Sequence, residues 1–249
     1  MVPEYLETRS KRVLAFHKTE GAAPTIVFLG GFKSEMAGTK ALHLEEWAKR
    51  IGNSYLRFDY SGHGVSSGVF SEGCIGDWAD DAEEVIQKTT DGSLILIGSS
   101  MGGWISCLLA KRMAERIAGL ITIAAAPDFT EDGFWIQFSD QQKCEVIENG
   151  ITFIPSEYGE PYPITRRLIE DGRSHLILRS PFRVDFPVRM LQGDQDQSVT
   201  RETALRLFDH MEGDDIHLSF LKGGDHSLSS PKNLAVIEDH LKTLIKQFG

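Results

Sequence analysis

Six short apolar runs alternate with longer amphipathic segments along this chain, and each run ends in a loop of small or polar residues. Runs of this length are typical of buried strands, whereas the segments between them carry apolar residues at the i, i+3, i+4 spacing of helices. The alternation predicts an α/β fold in which helices cover both faces of a mostly parallel sheet. The runs are 25–31, 54–62, 93–100, 119–127, 186–194 and 216–226.

The remaining patterned segments complete this architecture. Residues 5–21 predict two strands at an antiparallel edge, which gives a sheet of about eight strands. The last helix is expected to begin with Ser230 as N-cap and Pro231 in its first turn. A chain of 249 residues with one such pattern predicts a single domain over 1–249. The predicted helices are 36–52, 77–90, 101–117, 200–211 and 230–248.

Residues 128–185 interrupt the alternation. A stretch of this length without the core pattern is long for a loop, so we expect a lid or cap inserted within the domain, with a hairpin-like turn at Asn149-Gly150. Its aromatic residues suggest an apolar acyl pocket, or equally the segment's own small core; they are Trp135, Phe138, Phe153 and Tyr158. Its arginines could pair with a substrate carboxylate, although a surface face paired with Glu170 and Asp171 is the preferred interpretation; they are Arg166, Arg167, Arg179 and Arg183.

Composition excludes several classes of function. The 36 acidic and 26 basic side chains give a formal charge of −10, which would repel a polyanion, so we expect no nucleic-acid partner. No apolar run is long enough to span a bilayer, and the first residues include Glu4 and lack the apolar region of a secretory signal. The 3 cysteines are scattered and form no metal-ligand pattern. We therefore expect a cytoplasmic protein without metal or cofactor.

The motif Gly98-Ser99-Ser100-Met101-Gly102 lies where a predicted strand passes into a predicted helix. In a nucleophile elbow the turn is so sharp that the residues two before and two after the serine nearly touch, so both must be small. Ser100 has glycine on both sides, whereas the corresponding neighbours of Ser99 are Ile97 and Met101. This predicts Ser100 as the nucleophile and Ser99 as a strand-end residue.

A serine nucleophile needs a histidine base that is oriented by an acid, and in this architecture the acid and then the histidine follow the serine on loops after later strands. His226 is the one histidine on a loop that follows a late predicted strand. Asp194 and Asp196 both lie in the loop after the preceding strand. We favour Asp196, because an acid three residues beyond Gly193 allows the loop to reach the histidine.

The tetrahedral intermediate of acyl transfer needs backbone N–H donors for its oxyanion. One is expected from Met101, which follows the nucleophile at the start of a helix, where amides are unpaired. The other is expected from Phe32, in the loop Leu29-Gly30-Gly31-Phe32 after the first core strand. His63 and Lys33 are weaker candidates for substrate contact, and we interpret them as a residue of a structural turn and a solvated lysine.

Over essentially its whole length the chain resembles the α/β-hydrolase superfamily. The motifs that carry the resemblance are GSSMGG (98–103), DYSGHGVSSG (59–68), the loop of Asp196 and the loop GGDHS (223–227). The stretches FLGGFKSEMAGTKALHLEEWA and GCIGDWADDA also resemble the branch of abhydrolase domain-containing protein ten, which is associated with palmitoyl-protein thioesterase and acyl-glucuronide esterase activity. This resemblance implies triad roles for Ser100, Asp196 and His226. The chain departs from the superfamily pattern at Gly30-Gly31, where many members carry His-Gly.

These features predict a serine hydrolase that cleaves small-molecule carboxylic esters or thioesters through an acyl-enzyme intermediate. A peptidase or a carbon–carbon bond hydrolase on the same triad is an alternative within enzymes. A non-catalytic binding protein with this fold is an alternative outside them.

Overall fold

The computed structural model describes residues 2–156, 160–179 and 181–248. The strands are β1 (Glu4–Glu7), β2 (Val13–Thr19), β3 (Ala22–Leu29), β4 (Asn53–Phe58), β5 (Leu94–Ser99), β6 (Ile117–Ile123), β7 (Ile151–Ile154), β8 (Tyr162–Thr165), β9 (Phe182–Arg183), β10 (Val188–Gly193), β11 (Met211–Glu212) and β12 (Ile216–Leu221). The α-helices are α1 (Thr39–Ile51), α2 (Ile75–Thr89), α3 (Met101–Arg112), α4 (Asp140–Cys144), α5 (Arg166–Arg173), α6 (Arg201–His210) and α7 (Pro231–Phe248).

Within the described residues, the main sheet has eight strands in the order β1-β2-β4-β3-β5-β6-β10-β12. β1 and β2 are antiparallel to each other, and β2 is antiparallel to β4, while every later pair in the sheet is parallel. The predicted α/β fold with an antiparallel edge is therefore confirmed. Parallel strands place their carboxyl ends along one edge of the sheet, which brings the loops after β3, β5, β10 and β12 together.

The central part of the sheet is buried on both faces, because its strands carry successive apolar residues such as Leu94, Ile95, Leu96 and Ile97 of β5. In β5, Leu94 and Leu96 pack into the core cluster that contains Trp78 and Trp104 of α2 and α3. Ile95 and Ile97 point the other way, into a cluster with residues of α1 and α7. Alternate residues of a strand face opposite sides, so a continuous apolar run needs helices on both. Each fully buried aliphatic side chain contributes about 1.5–3 kcal/mol.

Several predicted runs extend beyond the observed elements. The run 54–62 ends as a strand at Phe58, because the Asp59 carboxylate accepts hydrogen bonds from the loop amides of Met36 and Val65. The helix predicted over 101–117 ends at Arg112, after which a single 3₁₀ turn leads into β6. The amide of Asn233 donates to Ser230 Oγ at 3.3 Å, which is the predicted N-cap of α7.

Residues 128–185 contain π-helical turns at Phe129–Trp135 and Glu145–Asn149, helices α4 and α5 and the antiparallel pair β7–β8. The hairpin-like turn predicted at Asn149-Gly150 is wrong, because Gly150, at φ 82°, ends the second π-helical turn instead. The buried Asp128 carboxylate accepts hydrogen bonds from the amides of Ile177 (2.7 Å) and Leu178 (2.9 Å). Asp128 thus ties the start of the segment to its later part. That the segment is a lid stays a prediction.

Candidate active site

Ser100 lies between the end of β5 and the start of α3, with φ 55° and ψ −118°. Residues other than glycine rarely adopt this backbone conformation, and its strain costs on the order of 1–3 kcal/mol. Three backbone hydrogen bonds hold Ser100 in it. Its amide donates to the Ile123 carbonyl at 2.9 Å, and its carbonyl accepts from Gly103 (2.9 Å) and Ala126 (3.1 Å). The turn therefore presents the Ser100 hydroxyl at the carboxyl edge of the sheet.

The glycines around Ser100 are sterically required. A Cβ on Gly98 would lie 2.6 Å from the carbonyl carbon of Gly102, and a Cβ on Gly102 would lie 2.6 Å from that of Leu29. Both distances are well inside van der Waals contact, so neither position accepts a side chain without backbone movement. This is the close approach that the sequence predicted for the residues two before and two after Ser100. Ser99 instead ends β5, opposite Ile123 of β6.

His226 joins Ser100 to Asp196. Its Nε2 lies 3.1 Å from Ser100 Oγ, and its Nδ1 lies 2.9 Å from Asp196 Oδ2. With Nδ1 protonated and donating to the carboxylate, Nε2 is free to accept the serine proton. The loop after β5, the loop after β10 and the loop after β12 thus bring together three residues that are far apart in the sequence.

Asp196 is built to carry a negative charge. Its side chain is fully buried, and besides His226 it accepts hydrogen bonds from the amides of Ser198 (2.8 Å) and Val199 (2.9 Å) and from Gln192 Nε2 (2.9 Å). Burial alone would raise the pKa of this carboxyl, but the hydrogen bonds from His226 and the two amides outweigh it and lower the pKa below its ordinary value. Asp196 is therefore ionised at neutral pH.

Asp194, the alternative acid, faces another partner. Its carboxylate accepts hydrogen bonds from Lys222 Nζ and from the amide of Gly223, each at 2.6 Å. The hydrogen bond from Lys222 is the main reason that the pKa of Asp194 lies below its ordinary value. Of the two acids that the sequence left open, the geometry brings Asp196 to the histidine.

The two predicted amide donors are next to residues at the elbow, Met101 after Ser100 itself and Phe32 after Gly31. Met101 is the first residue of α3, and Phe32 is in the loop after β3. Gly31 is packed against Ser100, since a Cβ there would lie 3.3 Å from Ser100 Cβ. Within the described part of the chain, neither the Phe32 amide nor the Met101 amide donates a hydrogen bond to another protein atom. Both N–H groups are available to an oxygen of a ligand.

The side chain of Phe32 is the centre of an aromatic cluster that the sequence analysis did not identify. Its ring makes edge contacts with five others, at centroid distances of 4.8–6.1 Å: Phe70, Trp78, Phe129, Phe134 and Tyr162. Phe129, Phe134 and Tyr162 belong to residues 128–185. Periodicity could not single them out, because the segment has no regular pattern to assign a face.

The aromatic residues proposed from the sequence are placed differently. Phe153 is 58% exposed, so it is wrong as a pocket wall. Phe138 is buried and stacked with Phe134, whereas Trp135 lies under the guanidinium of Arg173. Phe138 belongs to the main hydrophobic core of the domain, and Trp135 packs against it, so the expected separate small core of the segment is wrong. Tyr158 lies outside the described residues.

Three of the four arginines named from the sequence face protein carboxylates. Arg167 pairs with Asp77, and Arg183 lies 3.6 Å from Asp185. Arg179 pairs with Asp132 at 2.6 Å. Arg166 is exposed. These arginines thus form a surface face, as preferred from the sequence, but with carboxylates other than the Glu170 and Asp171 expected there.

Comparison with known proteins identifies the chain. Residues 24–146 match a protein family whose description is "alpha/beta hydrolase fold". The mitochondrial palmitoyl-protein thioesterase ABHD10 of Homo sapiens is 35% identical over 238 residues, which are 95% of this chain and 78% of that protein. The chain belongs to the α/β-hydrolase family. A solved structure of a putative hydrolase from Agrobacterium vitis S4 has 36% identity and a TM-score of 0.94 over 98% of each chain. Mouse ABHD10 has 30% identity and a TM-score of 0.92 over 100% of each.

In this α/β hydrolase, Ser100, Asp196 and His226 lie in loops at the carboxyl ends of β5, β10 and β12. Across the described residues we find no helix that is both long and apolar enough to cross a membrane, and no cluster of side chains suited to a metal ion. The relatives named above include proteins described as mitochondrial, so the cytoplasmic location of this hydrolase stays a prediction.

Proposed function

We propose that this hydrolase is a serine esterase or thioesterase that forms an acyl-enzyme intermediate on Ser100. The observation that carries the proposal is the continuous pair of contacts from Ser100 Oγ to His226 Nε2 (3.1 Å) and from His226 Nδ1 to Asp196 (2.9 Å). A hydroxyl, an imidazole and a buried carboxylate in this order have the geometry that acyl transfer requires.

In the proposed reaction, His226 takes the proton from Ser100 Oγ as the oxygen attacks the carbonyl carbon of the substrate. Asp196 stabilises the imidazolium that forms and keeps Nδ1 protonated, so that Nε2 always faces the serine. The imidazolium then donates its proton to the leaving alcohol or thiol as the tetrahedral intermediate collapses. Water, activated by His226, attacks the acyl-Ser100 ester and releases the acid.

The amides of Phe32 and Met101 are the proposed donors to the oxyanion. Met101 directly follows Ser100, Phe32 directly follows Gly31, which packs against Ser100, and neither amide has another partner in the described part of the chain, which supports this assignment. Preorganised N–H donors act without reorganisation cost when the charge develops, and each is worth roughly 3 kcal/mol in comparable enzymes.

The substrate we propose is an acyl ester or thioester with an apolar acyl chain. The aromatic cluster around Phe32 gives the loop of the proposed oxyanion donor an apolar neighbourhood, which favours a hydrocarbon chain over a polar one. A palmitoyl-protein thioesterase among the relatives agrees with this chemistry.

The test compares Ser100→Ala with Ser99→Ala, since the adjacent serine is a matched control for position and size. p-Nitrophenyl esters from acetyl to palmitoyl and the matching acyl thioesters are the substrates, and a fluorophosphonate probe reports the reactive serine by mass spectrometry. We expect Ser100→Ala to lose turnover and labelling with every substrate, and Ser99→Ala to keep both. Full activity of folded Ser100→Ala would refute the proposal. A preference for aminoacyl amides over esters would point to a peptidase instead.

A further inference from the structure

The motif DYSGHGVSSG (59–68) lies directly beneath the loop that carries Phe32, and the proposed reaction does not use it. His63, in this motif, is only 3% exposed and is enclosed by the rings of Tyr60, Phe70 and Trp78 at centroid distances of 5.1–5.5 Å. Its Nε2 accepts a hydrogen bond from the backbone amide of Lys33 at 3.2 Å. A buried histidine thus contacts the backbone of the residue that follows Phe32.

The two nitrogens of His63 have opposite requirements. Nδ1 lies 3.2 Å from the carbonyl oxygen of Ser61, so it must carry a proton, while Nε2 faces the Lys33 N–H and must present its lone pair. Only the neutral imidazole with its proton on Nδ1 satisfies both contacts. Burial lowers the pKa of His63 to about 4, which keeps the ring neutral at neutral pH. His63 is therefore a fixed acceptor for the loop.

The loop needs such an anchor. The amide of Ser34 closes a turn onto the Gly31 carbonyl at 3.1 Å, and Lys33 within that turn has φ 56°, a conformation unfavourable for a side chain. The hydrogen bond from the Lys33 amide to His63 stabilises this strained residue. Without it, the turn can relax, and the peptide between Gly31 and Phe32 moves with it.

We propose that His63 is a positioning residue of this hydrolase, which holds the turn at Lys33 so that the Phe32 amide stays aimed at the oxyanion. The inference rests on the proposed function of Ser100. His63 touches neither substrate nor the reacting atoms, and it acts through the backbone of the loop. Donors to an oxyanion have to be held to within about 0.5 Å, so a modest relaxation of the turn weakens them.

The test uses two amide side chains of different reach. In His63→Gln the side-chain oxygen extends to the position of Nε2 and can still accept from the Lys33 amide. In His63→Asn the shorter amide reaches the Ser61 carbonyl but not Lys33. We expect His63→Asn to lower kcat about 10–100-fold, which is less than the effect of losing a whole oxyanion donor, and to leave KM within a factor of about two. We expect His63→Gln to recover most of the lost kcat.

A second readout separates positioning from general structural damage. A trifluoromethyl ketone adds to Ser100 and forms a tetrahedral oxyanion, whereas the methyl ketone with the same acyl chain binds without addition. We expect His63→Asn to weaken the trifluoromethyl ketone by the same factor as kcat/KM, and the methyl ketone by less than about two-fold. All variants are compared at a temperature where circular dichroism shows them folded. If His63→Asn does not fold, His63→Phe, which keeps a ring in the cluster but has no acceptor, replaces it as the variant without an acceptor.

The outcomes are distinguishable. Equal kcat values for the wild type and a folded His63→Asn or His63→Phe would overturn the inference, as would equal losses of both ketones. If Ser100→Ala is inactive while the His63 variants behave as the wild type, only the role of His63 fails. If Ser100→Ala is fully active, the proposed function fails and this inference fails with it.

Discussion

His226 Nδ1 lies 2.9 Å from the carboxylate of Asp196, whereas Asp194, in the same loop, is engaged by Lys222 and the Gly223 amide. The two acids have lowered pKa values, yet for different reasons: Asp196 is buried and held by His226 and backbone amides, and Asp194 is held chiefly by a surface lysine. The loop after β10 thus carries two carboxylates with different contacts. Asp196 contacts the histidine, whereas Asp194 joins this loop to the loop after β12.

The pair Asp196→Asn and Asp194→Asn tests this difference. Asn at 196 can donate its amide to Nδ1 and so favours the tautomer whose Nε2 is protonated and cannot accept from Ser100. We expect Asp196→Asn to lower kcat on the order of 10⁴-fold at neutral pH. Asp194→Asn removes the ion pair with the exposed Lys222 and changes no contact of His226, so kcat should change by less than about two-fold. Steady-state kinetics on one p-nitrophenyl ester decides it, and a larger loss in Asp194→Asn would reverse the assignment of the acid.

Gly102, which follows Ser100 in the elbow, also contributes to the stability of the fold. A Cβ at Gly102 meets the backbone of Leu29 and Gly30, and the backbone of β3 cannot move without disturbing the sheet. We expect Gly102→Ala to lower the free energy of unfolding by about 3 kcal/mol or more, or to prevent folding. At Gly30 a Cβ would meet only Ser34 Cβ at 3.9 Å, so Gly30→Ala is the control and should cost less than about 1 kcal/mol. Urea unfolding measures both, and equal effects would contradict the steric argument.

Lys40 of α1 is a partly buried cation whose Nζ donates to the carbonyl of Ser227, next to His226. Burial lowers the pKa of Lys40 from 10.5 to about 8, partly offset by Asp225. Between these two pH values the unfolded chain binds more protons than the folded one, so stability rises with pH. The destabilisation is fully present below pH 8 and is relieved towards pH 10.5.

We therefore expect the stability of the wild type relative to Lys40→Met to increase by up to about 3 kcal/mol between pH 7 and pH 10.5. The loss of the hydrogen bond to Ser227 shifts the difference by a constant and does not alter this trend. Lys222→Met, which removes an exposed lysine, should run parallel to the wild type. If the free energy of unfolding of Lys40→Met also changed with pH in parallel to that of the wild type, the ammonium of Lys40 would not be desolvated.

Asp128 provides a prediction for residues 128–185. Its two carboxylate oxygens accept from the amides of Ile177 and Leu178, and an asparagine at 128 offers one oxygen only. Asp128→Asn leaves one buried amide unpaired, which should cost about 1–3 kcal/mol. Hydrogen exchange should accelerate at Ile177 and Leu178 before the sheet opens. Asp185→Asn, at an exposed position, is the control, and equal exchange in both variants would contradict this role of Asp128.

The alternation of apolar runs and amphipathic segments was sufficient to predict the sheet, its antiparallel edge and the helices on both faces. The elbow was predictable for a local reason: glycine on both sides of Ser100, and bulky residues at the matching positions of Ser99, decide the matter within five residues. His226 was predictable because of its place after the last strand. Element ends were less predictable, because side chains such as Asp59, distant in sequence from Met36, decide where β4 gives way to a loop.

What the sequence by itself determined is thus the fold and the position of each candidate residue along it. Only the tertiary structure decided which of Asp194 and Asp196 faces His226, because that choice depends on Lys222 from a neighbouring strand end and on the amides of the folded loop. It also decided which aromatic rings surround Phe32, since residues 128–185 have no periodicity to mark an inner face. Contacts between loops arise when the strands align, and no local pattern records them.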